Sequence, residues 1–297
     1  MNAIRTIADA APPGRQSAGS AEVSPQTYRY FQEFIARESG IVLDDNKQYL
    51  LEARLMPLAL KAHVFSLDNL CTLLRAQTNP GLKQQVVEAM TTNETFFFRE
   101  LAQYDALRTE VVPLLVQERL ASRKLSFWSA AASTGQEAYS LAMLLLEMGL
   151  GHWDIRILGT DLSTQALDRA RAGRYMQIEV NRGMPASLLV KYFTRAGLEW
   201  QLRDDVRRMV HYDQFDLRQG PPALGAFDVI FCRNVLIYFD VPTKRHILGH
   251  LRGALMPTGV LLLGGTETTI NIDDRFEPQS YGKATFYRPQ KGESHGS

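Results

Sequence analysis

Cysteine is nearly absent from this chain of 297 residues: only Cys71 and Cys232 occur, far apart and among apolar neighbours. That count excludes a disulfide framework and a cysteine-based metal site, and it points to a reducing compartment. Long apolar runs are missing too. No stretch approaches the ~20 residues needed to cross a bilayer. The opening MNAIRTIADAAPPGRQSAGSAE lacks the apolar core of a signal peptide. Nor is there a charge of one sign, since 33 Lys and Arg face 32 Asp and Glu for a formal net charge of +1. Such a balance draws the whole molecule neither to nucleic acid nor to a membrane surface. His63, His211, His246 and His250 fall at no ligand spacing, so no metal is expected. These absences describe a soluble cytoplasmic protein, read as a monomer.

What is present can build a core. Hydrophobic residues make up 45% and charged ones 22%, close to globular averages, over a length that suits one large domain or two ordinary ones. Residues 1–22, rich in Ala, Pro, Gly, Ser and Gln, are expected to be disordered, and 289–297 to form a flexible tail. Between them the pattern changes once. Ser24-Pro25 starts a helix with Tyr28, Phe31, Phe34 and Ile35 at helical spacing, stopped by Gly40. A second helix is predicted from Asp45 to about Ala62, bent or split by Pro57; Ser66 caps a third, and Pro80 opens a fourth. This predicts a helical domain over 23–95.

From 96 to 288 strands alternate with helices. LSFWSAA (125–131), IRILGTD (155–161), FDVIFCRN (227–234) and GVLLLGG (259–265) read as buried strands, and Leu101, Tyr104, Leu107 and Val111 as a linking helix. The alternation predicts a mostly parallel sheet covered on both faces. LEWQLRDDVRRMV (198–210) reads as an inserted antiparallel β-hairpin.

In such a sheet, ligands bind beyond the carboxyl ends of the strands. The first strand ends in Ala130-Ala131-Ala132-Ser133-Thr134-Gly135, small enough for close backbone approach. It is not GxGxxG and has no P-loop lysine, which disfavours a dinucleotide or a nucleoside triphosphate. Asp161 ends the second strand, where an acid commonly accepts the ribose hydroxyls. Its other reading, a cap for the next helix, is weakened because Ser163 already caps that helix. Glu137 stands in the first turn of the helix after Gly135, either as a partner of the helix dipole or facing a ligand cation. S-adenosylmethionine, with its ammonium and sulfonium, suits a pocket that offers acids in place of phosphate donors. Arg233, Asn234 and Tyr238 are either a polar loop leaving a buried strand or part of the site; Tyr104, Trp128 and Tyr139 read as core.

TTNETFFFRE (91–100) is the stretch that neither alternation nor a helical stripe accounts for. Together with WSAAASTGQEAYSLAM, GTDLSTQALDRARAGRY and FDVIFCRNVLIYFD, it resembles in order and spacing the bacterial chemotaxis receptor methyltransferases of the CheR type. The likeness spans about 24 to 288. It implies a class I methyltransferase fold, Rossmann-like with a mostly parallel sheet, a small N-terminal all-helical domain and an inserted antiparallel β-subdomain. It also implies S-adenosylmethionine as methyl donor and glutamate side chains on the cytoplasmic helices of chemoreceptors as acceptors. Carried over by position, Asn93, Thr95 and Arg99 match the family's cofactor-contacting segment, Ala131 and Glu137 its first-strand motif, and Asp161 its ribose acid. Asp216-Leu217 resembles its adenine-side pair, often Asn where this chain has Asp216. Arg233-Asn234 and Tyr238 match its fourth motif.

Two departures stand out. Relatives often carry a second acid and a proline where this chain has Gln136 and Ala138. Some also dock on receptors through a dense arginine face on the second helix, of which Lys47, Arg54 and Lys61 remain. By resemblance, Arg99 would hold the acceptor carboxylate and Tyr238 would orient it or the methyl group. The three phenylalanines are expected to wedge between the two domains, leaving Glu94 exposed. The insert, with Trp200, Arg203, Arg207 and Arg208, is expected to dock a receptor-tail peptide.

Two rivals are weighed against this reading. A nucleic-acid methyltransferase would want a basic surface and, for amino methylation of DNA, an Asp/Asn-Pro-Pro-aromatic motif in place of CRNVLIYF. A non-catalytic docking module that merely binds S-adenosylmethionine is opposed by intact Arg99 and Tyr238.

Overall fold

Helix α1 (Pro25–Ser39) begins as its residues require: Ser24 Oγ accepts the Thr27 N–H, and Gly40 ends it in the left-handed region at φ 76°. The structure, a computed structural model, describes residues 23–77, 79–220 and 225–290. The expected disordered start, 1–22, and residues 291–297 of the expected tail lie outside the described residues. Helices α2 (Gln48–Lys61), α3 (Leu67–Ala76) and α4 (Leu82–Met90) complete the N-terminal layer. Phe31, Ile35, Leu51, Leu55, Leu70 and Val86 point from all four helices into one core and are fully buried there. Ser66 caps α3 through the Asn69 N–H, and Pro57 sits within α2 without splitting it.

Helix α5 (Leu101–Ala106) passes through a π-turn at Leu107–Val111 into α6 (Val112–Glu118). The helix widens just before Pro113, which has no N–H to give the preceding turn. The α/β part comes next: β1 (Lys124–Ser129), α7 (Gln136–Glu147), β2 (Asp154–Asp161), α8 (Thr164–Ala172), β3 (Arg174–Met176), α9 (Gln177–Asn181), α10 (Ala186–Tyr192), β4 (Phe193–Ala196) and β5 (Glu199–Leu202). Then come α11 (Asp204–Arg207), β6 (Val210–Gln214), β7 (Phe227–Cys232), α12 (Val241–Ala254), β8 (Leu255–Leu263), β9 (Phe276–Tyr281) and β10 (Ala284–Pro289).

Seven strands form one sheet in the order β6-β2-β1-β7-β8-β10-β9, the first five parallel and β10 antiparallel to both its neighbours. This is the class I methyltransferase sheet that the family likeness implies. Successive residues alternate between its faces. Phe127, Ile157 and Val229 enter the core on one face; Trp128, Leu158 and Ile230 enter the core on the other. Each such side chain, fully buried, stabilises the fold by roughly 1.5–3 kcal/mol. Tyr104, Trp128 and Tyr139 are core residues, as their surroundings in sequence suggest.

The insert differs from the expected 198–210 hairpin. The antiparallel turn lies earlier, between β4 and β5 around Gly197 (φ 64°), and β3 completes a separate three-stranded sheet in the order β3-β5-β4. Asp204 and Asp205 stand in the first turn of a short helix, where carboxylates are favoured, and Val210 onward joins the large sheet beside β2. The pair β9–β10 has no counterpart among the strands expected from the sequence.

Candidate functional site

The chain leaves β1 for β2 and β6 on one side, then returns to β7 and β8 on the other. A cavity opens at that switch point, beyond the carboxyl ends of β1, β2 and β7. All eleven residues singled out from the sequence line it. Asn93, Thr95 and Arg99 come from the segment after α4, and Ala131 and Glu137 from the end of β1 and the start of α7. Asp161 ends β2, Asp216 and Leu217 follow β6, and Arg233, Asn234 and Tyr238 follow β7. The helical layer supplies the remaining wall through Ser39, Ile41, Thr91 and Thr92.

Glu137 does face a cation, and that cation belongs to the chain. Its Oε2 accepts from Arg233 Nη1 at 2.8 Å, and its Oε1 from the Ser129 hydroxyl at 2.7 Å. Arg233, only 6% exposed, also donates through Nη2 to the Arg99 carbonyl at 2.6 Å and lies 3.4 Å from Glu100. Burial alone would depress the guanidinium's pKa. The charge of Glu137, then those of Tyr104 and Glu100, more than offset it and hold the group above its ordinary value. Arg233 Nε is buried with no hydrogen-bond partner among the described residues.

Asp161 takes up the backbone role weighed for it and also faces the cavity. Oδ2 accepts the Ser133 N–H at 2.8 Å and Oδ1 the Ser163 N–H at 3.0 Å, while Ser163 Oγ caps α8. The carboxylate nonetheless lines the cavity. Burial raises its pKa despite the opposing pull of the Ser163, Ser133 and Leu162 N–H groups. Ser133 in turn donates its hydroxyl to the Asn93 carbonyl at 2.9 Å, tying the TTNETFFFRE segment to the turn after β1.

The phenylalanines of that segment do not wedge between the two domains. Phe97 meets Tyr175 and Phe193 edge-on at 5.0 and 5.7 Å, and Phe98 meets Tyr104 at 5.2 Å, all within the core of the α/β part. Apolar partners on β3, β4 and α5 outcompete the seam, which is lined with hydrogen-bonding groups. Phe96 stays near the surface between two guanidinium groups, Arg182 at 4.4 Å and Arg99 at 5.5 Å. Glu94, exposed as expected, pairs with Arg182 at 2.8 Å, and its carbonyl accepts from Arg99 Nη1 at 3.1 Å. Phe98 and Glu100 both adopt positive φ, 51° and 62°, which costs roughly 1–3 kcal/mol each for such residues. The turn is held by the Ser140 hydroxyl on the Phe98 N–H at 2.9 Å and by Arg233 on the next carbonyl.

Two further residues brace the cavity, and sequence reasoning misses both. Arg54 belongs, by sequence, to the remnant docking face of α2. It instead turns inward, donating to the Met90 and Thr91 carbonyls at 2.7 and 3.0 Å, and burial lowers its pKa. No local pattern announces that role. Arg218 comes two positions after Asp216, a cation beside an acid, and that spacing is a usable signal. It binds Asp216 and the last carbonyls of α1 together.

Residues 26–91 match the family model described as CheR methyltransferase, all-alpha domain, and residues 93–284 match CheR methyltransferase, SAM binding domain. The chain belongs to the CheR methyltransferase family. Chemotaxis protein methyltransferase 1 of Pseudomonas aeruginosa is 37% identical over 267 residues, covering 88% of this chain and 97% of that protein. Chemotaxis protein methyltransferase 1 of Vibrio cholerae is 39% identical over 261 residues, covering 86% and 94%. This CheR family member is thus an S-adenosylmethionine-dependent methyltransferase. The residues present fit that cofactor: a small-residue turn, an acid at the strand end, and a buried guanidinium N–H without a partner. Among the described residues, no helix is long and apolar enough to cross a membrane, and no group of three or more His, Cys, Asp or Glu could hold a metal ion.

Proposed function

We propose that this methyltransferase forms methyl esters on glutamate side chains of chemoreceptors, in their cytoplasmic helical region, as part of chemotaxis adaptation. The observation that carries the reading is the convergence of Arg99 and Tyr238 on the same cavity as Asp161, Glu137 and Asp216. The names of the two relatives, which match nearly end to end, support it.

When bound, S-adenosylmethionine supplies a methyl group carried on a sulfonium. Asp161 would accept its ribose hydroxyls, Asp216 and Leu217 would hold the adenine, and Glu137 with Arg233 would hold the amino-acid end. Asn93, Thr95, Ala131 and Asn234 complete the walls. Arg99 holds the acceptor carboxylate and Tyr238 orients it. No general base is needed, because a free glutamate with pKa ~4.3 is already ionised at neutral pH. The attack joins an anion to a cation and disperses both charges, so excluding water favours the transition state. Arg99 lies at the rim, held by a single bond to the Glu94 carbonyl. That loose tether suits its role, since a tight ion pair would stabilise the ground state equally. A receptor-tail peptide, if used, would add along an edge of the three-stranded sheet.

The test is methyl transfer from a labelled donor, offered receptor-bearing membranes beside DNA and RNA. The expected result is label on receptor that mild alkali releases as methanol, as an ester must. Alkali-stable label, label in nucleic acid, or none at all would overturn the proposal.

A further inference from the structure

The loop after β7 carries five cavity residues, Arg233, Asn234, Val235, Tyr238 and Phe239, yet apart from a single short turn at Leu236–Tyr238 it is irregular backbone. Asn234 stands at φ 55°, in the left-handed region. Irregular backbone at a cavity wall needs acceptors for its N–H groups, and helix or sheet ladders cannot supply them here. One side chain does. Glu267 Oε2 accepts the N–H of Asn234 at 2.7 Å and of Gly264 at 2.8 Å. Its Oε1 accepts the N–H of Val235 at 3.0 Å and of Ile237 at 3.3 Å. A single carboxylate thus clamps the loop to the end of β8.

We propose that Glu267 is a positioning residue for methyl transfer, fixing the 234–237 backbone that presents Tyr238 to the cavity without itself lining it. Charge-assisted bonds of this kind are about twice as strong as neutral ones, and four share one anion. Gly264 is fitted to the same clamp: a Cβ there would fall 2.5 Å from Asn234 Nδ2, 2.8 Å from Glu267 Oε2 and 2.9 Å from the Asn234 nitrogen. The arrangement is a nest of N–H donors filled by the protein's own carboxylate. Its neutral amide isostere cannot replace it, because either orientation turns an NH2 group against two N–H donors.

The activity arm rests on the methyl-transfer reading; the exchange arm does not. Glu267→Gln and Glu267→Asp would be compared with wild type in three measurements: turnover on receptor membranes, calorimetric binding of S-adenosylhomocysteine, and amide hydrogen exchange of 234–238 by mass spectrometry. Glu267→Gln should lower kcat by roughly tenfold or more while product affinity changes less than about threefold, the signature of an interaction used in the transition state. Exchange at 234–238 should accelerate, with that of α1–α4 unchanged. Glu267→Asp, one methylene short but still anionic, should retain part of both. Wild-type turnover in Glu267→Gln, or equal losses in affinity and turnover, would overturn the role. If wild type itself transfers no methyl group, the functional reading fails and exchange alone decides the clamp: unchanged protection of 234–238 in both variants would refute it.

Discussion

The Arg218 guanidinium closes on both carboxylate oxygens of Asp216, at 2.6 Å from Oδ2 at its nearest. It also donates to the carbonyls of Arg37 at 2.9 Å and Glu38 at 2.6 Å. Those carbonyls lie in the last turn of α1, where no intrahelical donor reaches them and where a cation is favoured. One side chain therefore joins the helical domain to the part of the cavity wall proposed for adenine. Arg218→Ala should cost roughly 1.5–3 kcal/mol, the scale of hydrogen bonds to a charged group. Weaker S-adenosylhomocysteine binding and faster limited proteolysis near residue 40 are the expected readings. Unchanged binding would separate the seam from the cofactor.

Asp161→Ala should weaken cofactor binding by about 1–3 kcal/mol through loss of a buried acceptor, and should lower the melting temperature because the Ser133 and Ser163 N–H groups lose their partner. The pH dependence has a definite sign. Burial places the Asp161 pKa above the usual carboxylate range, and the ionised form is the better acceptor. Affinity should therefore fade as pH drops through that raised pKa, earlier than an ordinary carboxylate would allow. Folding runs the other way: the folded state keeps this proton more firmly, so that contribution is present at low pH and is lost as pH rises through the folded pKa. Calorimetry on wild type and Asp161→Asn across acid pH checks this, and equal slopes would remove Asp161 as the titrating group.

Arg99→Ala and Tyr238→Phe should each reduce turnover more than they reduce cofactor affinity, because both are assigned to the acceptor and the methyl rather than to the adenosine. Steady-state kinetics beside calorimetry separates the two effects. A variant that methylates receptor at the wild-type rate has no catalytic part.

The small sheet is the place to test receptor docking. Arg207 lies 3.5 Å from Asp204 and Arg208 bonds the Asp204 carbonyl, so these two arginines are committed locally. Trp200 instead stands half-buried under the Arg195 guanidinium, 5.2 Å from the ring centroid. Trp200→Ala should raise the apparent KM for receptor and leave cofactor affinity alone. Salt should narrow the difference if charged contacts contribute, because exposed charges are screened over about 8–10 Å. Unaltered receptor kinetics at low salt would exclude this sheet from docking.

What the residues announce in advance is local. Ser24, Ser66 and Ser163 signal their helices because each cap acts within three residues, and all three hold in the structure. Asp161 and Arg233 are legible because strand ends point to one place once the sheet is parallel. The rest depends on distant partners. Glu267 acquires its role only when β8 lies beside the loop after β7, and Arg54 only when α2 packs against the segment after α4. The 198–210 stretch misleads because the alternation in Trp200 and Leu202 stops at Asp204 and Asp205, whose carboxylates favour a helix start instead. Phe97 and Phe98 point to the seam only while their better partners, Tyr175, Phe193 and Tyr104, lie hidden elsewhere in the chain.

The cavity's walls run from Ser39 to Phe239 in the chain. No contiguous fragment that lacks either end of that span can assemble them, and parallel strands joined by long crossovers close slowly. A chain still emerging from synthesis therefore has nothing for S-adenosylmethionine to grip until β7 and the loop after it have been made. Ligand present at that moment pulls only the finished state, by mass action on the native form. Cofactor binding becomes a reporter of folding through the loop after β7, silent on every intermediate that precedes it.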